Sequence, residues 1–185
     1  MNWALIGYGG MGVWHAERVQ TMPELFRIAG VYDILPERNA LARQSGLHAY
    51  ESLEQLLQDD AVELVTIATP NDTHLPLAVA AMEHGKHVIC EKPAALSTAE
   101  LEEMIAVSKR TGKLFTVHQN RRWDEDFLIV QKLIRENTLG RVFQVESRVH
   151  GSRGVPGDWR NRKEHGGGMI LDWGVHLLDQ LLQLT

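Results

Sequence analysis

The chain has 185 residues, of which 44% are hydrophobic and 23% charged, enough for one large domain or one domain and part of a second. Its net charge of −5 favours neither nucleic acid nor an anionic membrane as a partner. The one cysteine, Cys90, excludes an internal disulfide and a cysteine-based zinc site.

No apolar stretch of the sequence is long enough to cross a bilayer. The N-terminus leads directly into a strand pattern and lacks the charged region and cleavage site of a signal peptide. We therefore expect a cytoplasmic protein.

Residues 1–118 alternate strand and helix patterns, which predicts a parallel sheet covered by helices on both faces. The apolar strand segments are residues 3–6, 27–32, 63–68, 87–90 and 114–118. Helical patterns cover residues 11–21, 36–44, 52–57, 74–84 and 97–110. We predict a Rossmann-type, doubly wound sheet of six strands, of which these segments account for five.

The pattern changes in residues 119–185. It predicts a helix at 124–136, an alternating strand at 141–150, a glycine- and arginine-rich loop at 151–168 and a helix at 169–184. One strand between two helices leaves both strand edges unpaired and cannot close a core. We expect residues 119–185 to be the start of a second α/β domain, truncated here or completed by another chain.

A glycine fingerprint, Gly7-Tyr8-Gly9-Gly10-Met11-Gly12, lies between the first strand and the first helix. In this context Gly7 permits a tight turn, Gly9 lets the backbone approach a pyrophosphate, and Gly12 allows close packing of helix on strand. The N–H groups of the helix N-terminus, which includes Gly10 and Met11, would bind the phosphates. The fingerprint predicts a dinucleotide site.

Two further groups of residues belong to this predicted site. Asp33 ends the second strand, where a carboxylate would bind both adenosine ribose hydroxyls and repel a 2′-phosphate, so NAD is favoured; nearby Arg38 leaves NADP open. Thr69, Asn71 and His74 follow the carboxyl end of another strand, where ligands of such sheets bind. For Asn71 and His74, turn and helix-cap roles are nearly as well supported as cofactor contact.

A candidate reactive residue, Lys92, stands in the triplet Glu91-Lys92-Pro93 directly after an apolar strand. Oxidation of a secondary alcohol by hydride transfer needs a general base and a cation that stabilises the developing alkoxide. Lys92 suits the second role. Glu91 would pair with Lys92 or contact the cofactor, and Pro93 would fix the backbone.

A second candidate pair is Asp172 and His176, which follow Gly166-Gly167-Gly168 and lie four residues apart on one helix face. Histidine suits the general base, and Asp172 would pair with Lys92 or assist His176. The alternative is a simple hydrogen bond on a helix surface. The other histidines are scattered without matching spacing, so no metal site is expected.

Taken in order, these motifs resemble those of the Gfo/Idh/MocA family of nicotinamide-dependent sugar and polyol oxidoreductases, which includes inositol dehydrogenases. The matching stretches are residues 7–12, 68–71 with His74, 91–93, 119–124, 159–160 and 167–172 with Gly174 and His176.

The resemblance implies a Rossmann domain followed by an α/β domain whose open sheet often mediates oligomers. It implies that Lys92, Asp172 and His176 match the family's catalytic positions, with His176 as the proton acceptor. Glu91 and Lys92 would lie by the nicotinamide, and Trp159-Arg160 near the active-site cleft. A typical member is nearly twice as long as this chain.

These observations predict an oxidoreductase that transfers a hydride between a secondary hydroxyl of a sugar, polyol or related compound and NAD or NADP. The expected partners are a small molecule and, if the second domain is completed, further copies of the chain. Two alternatives stay open. One is a non-catalytic nucleotide-binding module or inactive fragment. The other is an NAD-dependent glycoside hydrolase that oxidises its substrate only transiently.

Overall fold

A computed structural model describes residues 1–150 and 157–184. The chain forms two compact units, Met1–Val117 and His118–Thr185. The domain boundary expected after residue 118 stays a prediction. Part of the expected loop at 151–168, residues 151–156, lies outside the described residues. The described residues contain no helix with the length and apolar character of a membrane span.

The first unit is built on one parallel sheet. Its strands are β1 (Asn2–Ile6), β2 (Arg27–Tyr32), β3 (Leu64–Ile67), β4 (His87–Cys90) and β5 (Phe115–Val117). The strand order is β2-β1-β3-β4-β5. The sheet has five strands, so the expectation of six was wrong. The rest of residues 1–117, all of which are described, lies in helices, turns, one isolated bridge and short segments without regular secondary structure.

Helices connect consecutive strands. They are α1 (Gly10–Gln20), α2 (Pro36–Gln44), α3 (Leu53–Gln58), α4 (His74–Glu83) and α5 (Thr98–Thr111). The chain runs from β1 to the β2 edge and then crosses back to β3, which makes a switch point between β1 and β3. In such sheets, ligands bind beyond the carboxyl ends of the strands at this point. The predicted Rossmann-type fold is confirmed.

The core lies on both faces of this sheet. Along β1, Trp3 and Leu5 are buried in one apolar cluster and Ala4 and Ile6 in the other. This period of two follows from strand geometry, in which successive side chains point to opposite faces. Burial on both faces explains why the strands read as continuous apolar runs.

Two predicted helix starts agree with the structure. The Ser52 hydroxyl accepts a hydrogen bond from Gln55 N at 3.1 Å, and the Ser97 hydroxyl accepts one from Glu100 N at 3.2 Å. Both serines therefore satisfy an N–H group of the first helical turn. At the other end of α5, Gly112 has φ +68°, the left-handed conformation common after a helix.

The regular elements of the second unit are all helical in the residues that the structure describes. It contains α6 (Glu125–Arg135), 3₁₀ turns at Trp159–Asn161 and Lys163–His165, a π-helical segment at Ile170–Gly174, and α7 (Val175–Leu184). A further 3₁₀ turn spans Asn120–Trp123. The predicted helix at 169–184 is therefore present, but its first part is π-helical.

The strand expected at residues 141–150 was wrong. These residues have no regular secondary structure, and Phe143 is 91% exposed. A strand requires a hydrogen-bonded neighbour. No described segment of the second unit supplies one.

Candidate functional site

The glycine fingerprint, residues 7–12, forms a turn, called the glycine turn below, that is sterically confined. Gly7 has φ +95° and donates its N–H to Tyr32 O at 2.8 Å. A Cβ on Gly7 would lie 2.5 Å from Ala68 O, and one on Gly12 would lie 2.0 Å from Gly7 O. Any side chain at either position would overlap backbone atoms, so the turn and the close approach of α1 to the sheet both require glycine.

The start of α1 suits an anionic ligand. Gly9 is the N-cap residue and has no side chain to satisfy the first N–H groups of the helix. A Cβ on Gly10 would meet nothing within 4 Å, so the first turn borders open space. Unsatisfied N–H groups and the positive end of a helix dipole attract phosphate. The residues present therefore fit a dinucleotide pyrophosphate, while contact by Gly9, Gly10, Met11 and Gly12 stays a prediction.

Asp33 is buried beside this turn and is only 4% exposed. Its Oδ2 accepts hydrogen bonds from Tyr8 N at 2.7 Å and from Arg38 Nη1 at 3.3 Å, and its Oδ1 accepts one from Leu35 N at 2.9 Å. Asn39, which sequence reasoning missed, bonds the backbone N–H and C=O of Asp33 through its amide. The end of β2 is thus tied to the glycine fingerprint.

Arg38 lies over Gly9, the N-cap residue of α1. A Cβ on Gly9 would come within 3.2 Å of Arg38 Nη1. The Arg38 side chain is 41% exposed, whereas that of Asp33 is 3% exposed. The guanidinium therefore covers the Asp33 carboxylate on the side of the glycine turn. This places both predicted specificity residues next to the predicted phosphate site.

The turn after β3 is held by side-chain contacts. Thr69 Oγ1 lies 2.6 Å from Thr73 Oγ1, and Asn71, 3% exposed, begins a 3₁₀ turn that ends at Thr73. His74 is fully buried, with Nδ1 2.8 Å from Pro93 O and Nε2 3.1 Å from Thr69 O. Burial lowers the pKa of His74, against the opposing effect of the two carbonyls. His74 therefore joins the turn after β3 to the segment after β4. Its contact with a cofactor stays a prediction.

The predicted reactive triplet lies at the carboxyl end of β4. Glu91 extends the pairing of β4 with β3 by donating its N–H to Ile67 O at 2.9 Å. The Glu91 side chain is buried, with Oε1 2.7 Å from His15 Nε2 and Oε2 accepting from Lys92 N at 3.2 Å. Lys92 is half-buried, and the peptide bond between Lys92 and Pro93 is cis.

His15 is a site residue that sequence reasoning missed. It stands on α1 with Gly12, Ala16 and Val19 on the buried face of the helix. A histidine in an apolar stripe at helical spacing is a signal that a polar partner lies behind the helix. The partner, Glu91, is 76 residues away in the sequence.

In the second unit, several predicted motif residues come together. Arg160 Nε lies 3.6 Å from Asp172 Oδ1, and the Arg160 guanidinium stacks 4.5 Å from the Trp159 ring. A Cβ on Gly167 would lie 2.3 Å from Arg160 O, and Gly168 N donates to the same oxygen at 2.9 Å. The glycine run thus lets the Trp159-Arg160 turn approach the start of the helix that carries Asp172.

Asp172 lies in the π-helical segment and His176 in the first turn of α7. His176 is 4% exposed, with its ring edge-on to Trp173 at 5.9 Å. Roles for Asp172 and His176 beside Lys92 stay predictions.

Residues 119–123 brace this helix from one side. The Arg121 guanidinium lies 4.2 Å from the Trp173 ring, and Arg122 Nε donates to Asp179 Oδ2 at 2.8 Å. Gln119 Nε2 donates to Val175 O at 3.0 Å. The Gln119-to-Asp124 motif therefore acts, in this unit, as a support for the π-helical segment and α7.

Two family models match the chain. Residues 1–119 match the oxidoreductase family with an NAD-binding Rossmann fold, and residues 127–185 match the GFO/IDH/MocA C-terminal domain. The first match alone covers more than half of the chain.

Individual relatives agree with these models. An oxidoreductase of Escherichia coli (strain K12), YdgJ, is 36% identical over 97% of this chain and 52% of its own length. The scyllo-inositol 2-dehydrogenase (NADP⁺) IolW of Bacillus subtilis (strain 168) is 32% identical over 97% of this chain and 50% of its own. A crystal structure of an NAD-binding protein from Listeria innocua is 53% identical with a TM-score of 0.96, covering 100% of this chain and 54% of that one. The chain spans about half the length of the relatives it matches.

Proposed function

The chain belongs to the GFO/IDH/MocA family of oxidoreductases with an NAD-binding Rossmann fold, and from this we propose that the protein transfers a hydride between a secondary hydroxyl of a sugar, polyol or related compound and NAD. The observation that carries the proposal is the 2.7 Å contact between His15 Nε2 and Glu91 Oε1. It joins the helix that starts at the glycine turn to the segment that presents Lys92. From this contact we infer that the cationic side chain of Lys92 lies beside the predicted dinucleotide site.

The residues of the first unit would hold the cofactor by its two phosphates and one ribose. The N–H groups at the start of α1 would bind the pyrophosphate, and the Asp33 carboxylate would accept hydrogen bonds from the adenosine ribose. Bound nicotinamide would supply the hydride acceptor. Because Arg38 Nη1 is 3.3 Å from Asp33 Oδ2, a positive charge is at hand to offset repulsion of a 2′-phosphate. NAD would be preferred and NADP tolerated.

The proposed roles of the reactive residues follow from charge. The half-buried Lys92 ammonium would stabilise the negative charge that develops on the substrate oxygen, an effect that grows as water is excluded. The His176 imidazole would accept the hydroxyl proton. Asp172, which forms an ion pair with Arg160, would orient the imidazole or balance its charge.

Hydride transfer is tested with the chain, NAD and a panel of inositols and sugars, by following the absorbance of reduced nicotinamide. The Bacillus subtilis scyllo-inositol dehydrogenase, with scyllo-inositol and its own cofactor, shows that the assay works. Substrate-dependent formation of NADH that is lost in K92M supports the proposal.

Two results would contradict it. NADH binding without turnover on any substrate would indicate a nucleotide-binding module. Sugar cleavage without net NADH would indicate transient oxidation during glycoside hydrolysis.

A further inference from the structure

Lys92 is flanked in the sequence by two residues that buried histidines hold. Glu91, before it, contacts His15 of α1, and Pro93, after it, contacts His74 of α4. His15 is 7% exposed and His74 0%, whereas Lys92 is half-buried. The residues before and after Lys92 are thus each held by a buried histidine side chain.

The His15 contact reaches Lys92 through the Glu91 carboxylate. His15 Nε2 lies 2.7 Å from Oε1, and the second oxygen accepts the N–H of Lys92 at 3.2 Å. An ionised carboxylate is acceptor-only, so the histidine nitrogen that faces it must be the donor. Hydrogen bonds to a charged group are about twice as strong as neutral ones. This arm ties the Lys92 backbone to the helix of the glycine turn.

The His74 contact reaches Lys92 through the Pro93 carbonyl. Nδ1 lies 2.8 Å from Pro93 O and Nε2 3.1 Å from Thr69 O. Both oxygens only accept, and a neutral imidazole has one N–H. We take Nδ1, which makes the shorter contact, as the donor, so that Pro93 O receives the hydrogen bond. This arm ties the residue after Lys92 to the end of β3.

We propose that His15 and His74 are positioning residues that together hold the backbone from which the Lys92 side chain extends. The inference rests on the role proposed for Lys92, but it concerns the order of the segment and not turnover itself. It assigns His74 a function other than cofactor contact. It also gives His15 a function that neither the glycine fingerprint nor the reactive triplet predicts by itself.

The two arms use different ring nitrogens, which allows a crossed test. A glutamine amide nitrogen occupies roughly the place of histidine Nε2, and an asparagine amide nitrogen that of Nδ1. At position 15 the contact is through Nε2, so H15Q should perturb the segment less than H15N. At position 74 it is through Nδ1, so H74N should perturb it less than H74Q. The two positions are expected to rank the same substitutions in opposite order.

The direct readout is the reactivity of the Lys92 amine toward an acylating reagent, measured by mass spectrometry relative to Lys109 on the exposed face of α5. We expect labelling of Lys92 to rise roughly threefold to tenfold in H15N and H74Q compared with H15Q and H74N, the range that one lost hydrogen bond implies. The proposal would be overturned if Lys92 were labelled equally in the two variants of each pair. It would also be overturned if the same substituted amino acid, glutamine or asparagine, gave the lower labelling at both positions. If one variant fails to fold, the pair at the other position decides by itself.

A kinetic readout separates positioning from cofactor contact. In a chain that turns over substrate, H15N should lower kcat by more than H15Q, and H74Q by more than H74N. The Kd for NADH should differ little within each pair. A shift in NADH affinity without a change in Lys92 labelling would make His74 a cofactor ligand and refute the positioning role. If the wild-type chain transfers no hydride, the proposed function is wrong, but the positioning role of His15 and His74 is still tested by the labelling of Lys92.

Discussion

The Asp33 carboxylate accepts the backbone N–H of Tyr8 at 2.7 Å, so the residue predicted to select the cofactor also closes the glycine turn. This one contact links the acidic end of β2 to the fingerprint loop. A substitution of Asp33 therefore acts on the shape of the turn as well as on charge. Arg38, which reaches the same carboxylate from α2, offers a cleaner test of cofactor preference.

Replacing Arg38 with alanine should weaken NADPH binding relative to NADH. The guanidinium supplies the positive charge near the predicted ribose site, and hydrogen bonds to charged groups contribute roughly 1.5–3 kcal/mol, equivalent to at least about a tenfold change in the ratio of dissociation constants. Binding is followed by the fluorescence of the reduced cofactors. R43A, on the same helix and paired with Glu51, is the matched control. An unchanged ratio in R38A would exclude Arg38 from 2′-phosphate recognition.

Gly12→Ala should destabilise the first unit. Its Cβ would lie 2.0 Å from Gly7 O, so the helix must move away from the sheet. Overpacking of this kind typically costs about 1–3 kcal/mol, measurable as a lower urea midpoint, and NADH binding should fall with it. Gly10→Ala, whose Cβ meets no atom within 4 Å, is the control for stability. Equal stability of the two variants would show that α1 shifts without cost.

Lys92→Met should lower kcat by roughly two orders of magnitude or more, as removal of one preorganised charge from a transition state usually does. The methylene chain is retained, so the loss is attributable to the ammonium. Lys109→Met on the exposed side of α5 controls for the loss of a positive charge elsewhere in the unit. The initial rate of NADH formation at saturating substrate is the measurement. A K92M enzyme with a wild-type rate would rule out an electrostatic role for Lys92.

As the pH is lowered below 6.5, the ordinary pKa of histidine, the free energy of unfolding should fall, partly because of His74. Burial lowers the pKa of His74 in the folded protein, so below 6.5 the unfolded chain binds a proton first. Stability from this group is therefore complete above 6.5 and is lost as the pH falls toward the folded pKa. The slope contributed by one such group is at most about 1.4 kcal/mol per pH unit.

Denaturant titrations at several pH values measure this slope. H74N should flatten it, because the titrating group is gone. Replacing His84, an exposed histidine at the end of α4, should leave the slope as in the wild type. A slope unaffected by H74N would mean that other groups account for the acid sensitivity.

Much of the first unit could be predicted from local sequence. The five strands were located because strands buried on both faces are apolar runs, and α5 because Ser97 and Gly112 mark its ends. The contacts across the sheet could not be predicted. His15 and Glu91 are 76 residues apart in the sequence, so no local pattern pairs them, and only the position of His15 in an apolar stripe indicates a partner.

In the second unit, local pattern was less informative. The alternation in residues 141–150 indicated a strand, yet a strand exists only through a neighbour, and the described residues of the unit provide none. The π-helical segment at Ile170–Gly174 was also missed, since hydrophobic spacing does not distinguish one wide turn within a longer helix. Its support from Gln119, Arg121 and Arg122 is again a long-range arrangement.

The wide turn at Ile170–Gly174 gives the helix that carries Asp172 and His176 one residue more than an ordinary α-helical turn would hold. Deleting a single residue there would restore an α-helix and leave the two flanks in nearly the same orientation. Deleting one within α7, which has no such extra residue, would rotate everything before it by about 100° around the axis. A change of one residue in length is therefore expected to be far better tolerated at residues 170–174 than within α7.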